Sequence, residues 1–145
     1  QVLDDRIPAI PLGKAAFRRL GDDLSIITYG AYVHKAMACA KVLSDDGICC
    51  DVLDLRSLVP LDWEAIAATV GRTGKVLLVG EDSKTGSVLE SIAAKIGGQL
   101  FFDLDAPVRV LGALDTPVPY APSLEPAFLV SDAQLYEHAL ALARF

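Results

Sequence analysis

The residues best able to do chemistry in this chain stand where apolar runs break off. Tyr29 closes "LSIITYG", Arg56 interrupts "CCDVLDLRS", and Glu81 and Asp82 close "KVLLVGED". An adjacent acidic pair could work as acid and base. Successive side chains of an extended chain diverge, however, so these two do not converge on one atom and suit interface or capping roles better. His34, in the first turn of a helical pattern, could donate a hydrogen bond to a partner or substrate. It could equally be a half-exposed helix residue sharing a polar face with Lys41 and Asp45. His138 reads as a surface residue of the last helix, and neither histidine has a cysteine or carboxylate at metal-ligand spacing.

Other signatures of chemistry are missing. The sequence holds no G-x-x-x-x-G-K-[ST], no G-x-G-x-x-G and no G-x-S-x-G, so neither phosphate-cradling loop nor a nucleophile turn is encoded. Glu90 and Lys95 lie too far apart on their helix to pair and read as surface charge. No catalytic, cofactor-binding or metal-ligating residue is assigned within the chain. The candidates are contact residues: Tyr29, His34, Arg56, Glu81, Asp82, Tyr120 and the terminal Phe145.

The elements that must position them follow from periodicity. Lys14–Leu20 alternates weakly, as a short edge strand does, and Gly21-Asp22-Asp23 is a turn. Residues 24–30, 49–55 and 75–82 are continuous apolar strands of the kind found in a parallel sheet covered on both faces. Between them the period changes to three and four. Val33, Ala36, Met37, Ala40 and Leu43 mark a helix that Gly47 stops, and Asp62 caps a second through Trp63, Ile66, Ala67 and Val70 that ends at 71–74. A third helix covers 87–97, ending at Gly97-Gly98. Then come a short strand, Arg109–Leu111, a proline-studded loop from Thr116 to Pro126, and a last helix, Ala133–Arg144, capped by Ser131 or Asp132. That loop has four prolines in eleven residues, so it is stiff. It either presents Tyr120 and Leu124 to another subunit or merely joins the last helix. Alternating strands and helices predict one three-layer α/β domain with a mainly parallel sheet. Its ligands and partners should meet the carboxyl ends of the strands, which is why the strand in "ICCDVLDLRSLVPLD" breaks at Arg56.

Bulk properties agree with a folded domain. The chain has 145 residues, 52% hydrophobic and 22% charged, too apolar for disorder. No apolar run is long enough to span a membrane, and the acidic N-terminus does not read as a secretory signal. A net charge of −6 argues against nucleic-acid binding. Cys39, Cys49 and Cys50 are odd in number, and neighbours on a strand point to opposite faces. They read as buried small hydrophobes in a reducing compartment. The missing initiator methionine suggests a fragment or processed chain.

Taken in order, "IPLGKA", "IITYG" with "VHKA", "DVLDLRSLVPLD", "RTGKVLLVGED", "LDAPVRVLGALDTPVPY" and "SLEP" match one family. The chain resembles the C-terminal domain of the beta subunit of thiamine-diphosphate-dependent 2-oxo acid dehydrogenases, of pyruvate or branched-chain type. The resemblance covers about residues 7–140. It implies a transketolase C-terminal fold, a three-layer α/β/α sandwich around a mixed five-stranded sheet with Lys14–Leu20 antiparallel. It further implies that residues 1–13 are a leader from an upstream domain and 14–145 the domain itself. The parent activity would be oxidative decarboxylation of a 2-oxo acid with acyl transfer to lipoyl, using thiamine diphosphate and Mg. The family's G-D-G motif ending in asparagine belongs to another domain, and this chain has neither that motif nor any asparagine. The isolated domain is thus expected to bind no cofactor and to be inactive. Its implied roles are homodimerisation through the sheet-end face, contact with the alpha subunit or upstream domains, and docking of the lipoyl acyltransferase's binding domain. The implied location is bacterial cytoplasm or mitochondrial matrix. In "EDSKTGSVLESI", Ser87 replaces a glycine usual in relatives and Glu90 is displaced by one position. Alternatives are the same domain of an acetoin dehydrogenase or other transketolase-type enzyme, or a free-standing interaction module.

Overall fold

The computed structural model describes residues 9–145; the first eight residues of the expected leader lie outside the described residues. The chain runs β1 (Ala16–Arg19), β2 (Leu24–Thr28), α1 (Tyr32–Asp45), β3 (Cys50–Asp54), α2 (Trp63–Thr73), β4 (Val76–Ser83) and α3 (Val88–Gln99). A 3-10 turn (Phe101–Asp103), β5 (Arg109–Ala113), α4 (Glu125–Phe128) and α5 (Asp132–Ala143) follow. The five strands form one sheet in the order β1-β3-β2-β4-β5. β1 is antiparallel to β3, and the other pairs are parallel. This is the three-layer α/β/α architecture with a mixed, mainly parallel sheet.

Strand periodicity builds the two outer layers. Ile26, Val52 and Leu77 face α1 and α5, packing on Ala36, Ala40, Leu43, Leu135, Ala139 and Leu142. Their neighbours Ile27, Leu53 and Leu78 face the other way, onto Ile66 and Val70 of α2 and Ile92 and Ile96 of α3. Each fully buried Leu, Ile or Val among them contributes about 1.5–3 kcal/mol. The second layer also holds a polar knot. Ser25 Oγ lies 2.7 Å from the hydroxyls of both Thr69 and Thr73. Thr69 donates to Asp51, whose Oδ2 meets Arg72 at 3.1 Å. Asp51 is fully buried and its Oδ1 has no partner among the described residues.

Helix ends follow local chemistry. Gly47 takes φ 79° just beyond α1, a left-handed stop that side chains resist. Asp62 Oδ1 accepts from the Ala65 N–H at 3.3 Å, while its Oδ2 accepts from Ala15 N–H at 3.0 Å and so ties the entry of β1 to α2. Ser131 and Gln134 form a capping box on α5.

Several expectations shift. α2 ends at Gly74, within the expected 71–74, but α3 runs past Gly97-Gly98 because its ladder survives, Leu100 N–H reaching Ile96 O at 2.8 Å. The final strand extends to Ala113. The proline loop contains the one-turn α4, with Pro126 in its first turn, where a missing N–H loses no bond. Cys49 is exposed rather than buried; only Cys39 and Cys50 behave as core residues. Burial pushes their thiols up, to about 11 and about 12, so both stay protonated at neutral pH.

Candidate functional site

The carboxyl ends of the parallel strands gather most of the sequence candidates. At the end of β3, Asp54 is the organiser. Its Oδ2 accepts from Arg18 Nε at 3.1 Å and Nη2 at 2.7 Å, and its Oδ1 accepts from the Arg56 N–H at 3.0 Å. Ser57 N–H closes back on Leu55 O, placing Arg56 at φ 56° in the centre of a γ-turn. That turn is strained for a residue with a Cβ. It ends the apolar strand and turns the Arg56 side chain out of the core, where it is exposed.

On the other side of β2, Tyr29 donates its hydroxyl proton to Asp82 in a short contact. Burial, then this bond, then the Asp82 and Glu81 charges hold the Tyr29 phenol well above its ordinary value. β4 continues past Glu81 to Ser83, so both acids lie within the strand and both are exposed. Asp82 engages Tyr29 while Glu81 does not, consistent with divergence rather than an acid/base pair. Beyond β4, Thr85 donates through N–H (3.0 Å) and hydroxyl (2.6 Å) to Asp115, joining the β4–α3 turn to the exit of β5. These bonds hold the Asp115 carboxyl below its usual range. Glu90, expected as plain surface charge, reaches back to accept from Gly86 N–H at 2.9 Å. Ser87 caps the same helix, accepting from Glu90 N–H at 3.2 Å. Ser87 thus has a structural use as the cap of α3.

His34 is exposed in the first turn of α1 and lines a crevice with Arg18 and Arg56. Tyr120 is wholly exposed in the proline loop, among Leu114, Val118 and Leu124. With Val59 after β3, these exposed apolar side chains all follow carboxyl ends of strands. Phe145 is elsewhere. It lines a hollow with Phe101, Leu104, Ala106 and Val108, which lead into β5, so it sits at the amino end of the sheet. The structure therefore separates Phe145 from the other six candidates. Beside it, Phe101 and the 99% exposed Phe102 form an edge-to-face pair with centroids 5.5 Å apart. Sequence reasoning passed over this pair, although "LFFD" placed next to a helix end was a signal. It also passed over Arg18 and Asp54, whose partnership joins distant segments.

Among the described residues no three His, Cys, Asp or Glu side chains are placed to hold a metal ion. The polar crevice beside β3 offers arginines and a single carboxylate, so the residues present do not fit a metal-bound diphosphate cofactor. No described helix is long and apolar enough to cross a membrane. The family model of the transketolase C-terminal domain matches residues 13–135. The chain belongs to the transketolase C-terminal domain family. Among curated proteins it is 44% identical to the 2-oxoisovalerate dehydrogenase subunit beta of Bacillus subtilis, over 100% of this chain and 46% of that protein. It is 39% identical to the acetoin:2,6-dichlorophenolindophenol oxidoreductase subunit beta of Cupriavidus necator, over 88% of this chain and 38% of that one. Among solved structures, a split-gene transketolase in an inactive beta4 tetramer superposes with a TM-score of 0.77 at 26% identity, covering 99% of this chain and 46% of that one. The chain thus spans less than half the length of each of these proteins.

Proposed function

We propose that this transketolase C-terminal domain is the assembly portion of a beta subunit in a thiamine-diphosphate-dependent 2-oxo acid dehydrogenase, catalytically silent by itself. The observation that carries the reading is the match along the entire chain to a 2-oxoisovalerate dehydrogenase beta subunit at 44% identity. One feature supports it: Leu114, Val118, Tyr120 and Leu124, all exposed, lie in the loop that follows the carboxyl end of β5, and an interface requires such exposed apolar side chains. In this reading the strand-end face makes the beta–beta contact and meets the alpha subunit or upstream domain. The aromatic end around Phe102 and Phe145 is a second contact surface, suited to a small binding domain of the lipoyl acyltransferase. Thiamine diphosphate and Mg belong to the parent enzyme and are held outside this domain.

Calorimetric titration of the chain with thiamine diphosphate in excess Mg tests the silent role. The expected result is no saturable heat; micromolar binding would overturn it. The likeness to the acetoin oxidoreductase beta subunit favours a second reading, in which the same assembly domain serves an acetoin-cleaving enzyme. Turnover of 3-methyl-2-oxobutanoate, pyruvate and acetoin by the complete enzyme separates the two.

A further inference from the structure

Between the carboxyl ends of β2 and β3 lies a crevice of about 690 Å³. Topology opens it. The chain leaves β2 into α1 on one face of the sheet and leaves β3 toward α2 on the other, so the two exits part. Its lining is part apolar, with Leu12, Val33 and Met37, and part charged, with Arg18, His34 and Arg56 around the single carboxylate of Asp54.

The charges there do not cancel. Arg18 and Asp54 are matched to each other, which leaves Arg56 with no ion-pair partner among the described residues. Two arginines against one aspartate give a local charge of +1 in a chain of net −6. No acidic residue occupies the first turn of α1 to oppose it. The Arg56 backbone is held at φ 56°, a conformation that strains a residue with a Cβ. Asp54 stabilises it by accepting its N–H. Strain maintained at the rim of a crevice, with a guanidinium as its product, needs a use. Gly30, at φ 63°, is part of the same lining, with nothing within 4 Å of where a Cβ would stand.

We infer that this crevice binds a small organic anion, its carboxylate or phosphate-monoester head on Arg56 and His34 and its apolar body against Leu12, Val33 and Met37. The volume lies within the range of about 300–1,000 Å³ typical of small-molecule sites and exceeds what a bare oxyanion fills. The inference goes beyond the subunit reading above and concerns the chain by itself, in which the crevice is open to solvent.

Nuclear magnetic resonance of the chain, titrated separately with phenyl phosphate, benzoate and inorganic phosphate, tests it. Saturable shifts are expected at the Gly30 and His34 amides, the Arg56 side-chain N–H and the Val33 and Met37 methyls. The aromatic anions should bind about 10-fold more tightly than inorganic phosphate because the apolar lining contributes roughly one tenfold step. Whichever aromatic anion binds more tightly identifies the head group. Arg56→Gly keeps the left-handed turn without its strain, so it should raise the melting temperature slightly while weakening binding at least about 10-fold. Arg56→Gln should weaken binding similarly. The inference is overturned if the crevice signals do not saturate, if inorganic phosphate binds as tightly as the aromatic anions, or if binding survives Arg56→Gly.

Discussion

Replacing Asp54 by asparagine should destabilise the strand-end edge more than any other change of a single atom there. Asp54 is 6% exposed and holds Arg18 on one oxygen and the Arg56 backbone on the other. An amide has one acceptor oxygen. If that oxygen faces Arg18, the NH2 meets the Arg56 N–H; if it turns round, the NH2 meets the guanidinium. Either way a donor faces a donor. A buried hydrogen bond to a charged group contributes about 1.5–3 kcal/mol. The Arg18 side chain is 41% exposed, so solvent screens its share to about 1 kcal/mol. The orphaned Arg56 N–H, with its γ-turn left unsupported, adds about 1–2 kcal/mol. The sum is about 2–3 kcal/mol, or roughly 5–10 °C in melting temperature for a domain of this size. Urea unfolding followed by circular dichroism, for wild type, Asp54→Asn, Arg18→Gln and the double variant, measures both the loss and the coupling. A loss below about 0.5 kcal/mol, or strict additivity of Arg18→Gln with Asp54→Asn, would refute the organising role given to this carboxylate.

Three further outcomes are expected. Burial pushes the Asp51 carboxyl up, with the Thr69 hydrogen bond and Arg72 pulling it back down. A raised acid holds its proton more tightly when folded, so its ionisation lowers stability. The stability of wild type relative to Asp51→Asn should therefore be highest below the ordinary value of 3.8 and fall as pH rises through the raised one. Urea unfolding from pH 3.5 to 7 checks this, and a difference growing with pH contradicts it. Ser131→Ala removes the capping box of α5 and should cost about 1 kcal/mol, read as a lower urea midpoint with an unchanged slope. Ile27→Ala, in the fully buried centre of β2, should cost about 3–4 kcal/mol by calorimetry; a cost under about 1 kcal/mol would mean the layer between β2 and α2 is loosely packed.

Local signals in the sequence carried most of the architecture. The switch from continuous apolar runs to a three-and-four spacing located three strands and four helices, and Gly47, Asp62 and Ser131 marked ends whose geometry depends only on near neighbours. What depends on distant partners was hidden. Asp54 reads as an ordinary polar residue until β1 folds back and brings Arg18, 36 positions away, onto it. Asp51 reads likewise until Thr69 and Arg72 of α2 cover it. Tyr29 and Asp82 were both singled out at strand ends, but their bond spans 53 residues and needs β2 and β4 to be neighbours in a sheet whose order is not the chain's. Phe145 was grouped with the strand ends because its sequence position says nothing of helix direction. α5 delivers it to the opposite end of the sheet, beside Phe101.

The central claim, an assembly domain acting through exposed apolar surfaces, is tested most directly by light scattering coupled to size exclusion. The chain would be run alone, then with the binding domain of a lipoyl acyltransferase. The expected result is a dimer or larger that retains the binding domain, and a shift toward monomer when Tyr120 and Leu124 are replaced by serine. A strict monomer at all concentrations that passes the binding domain by would contradict it.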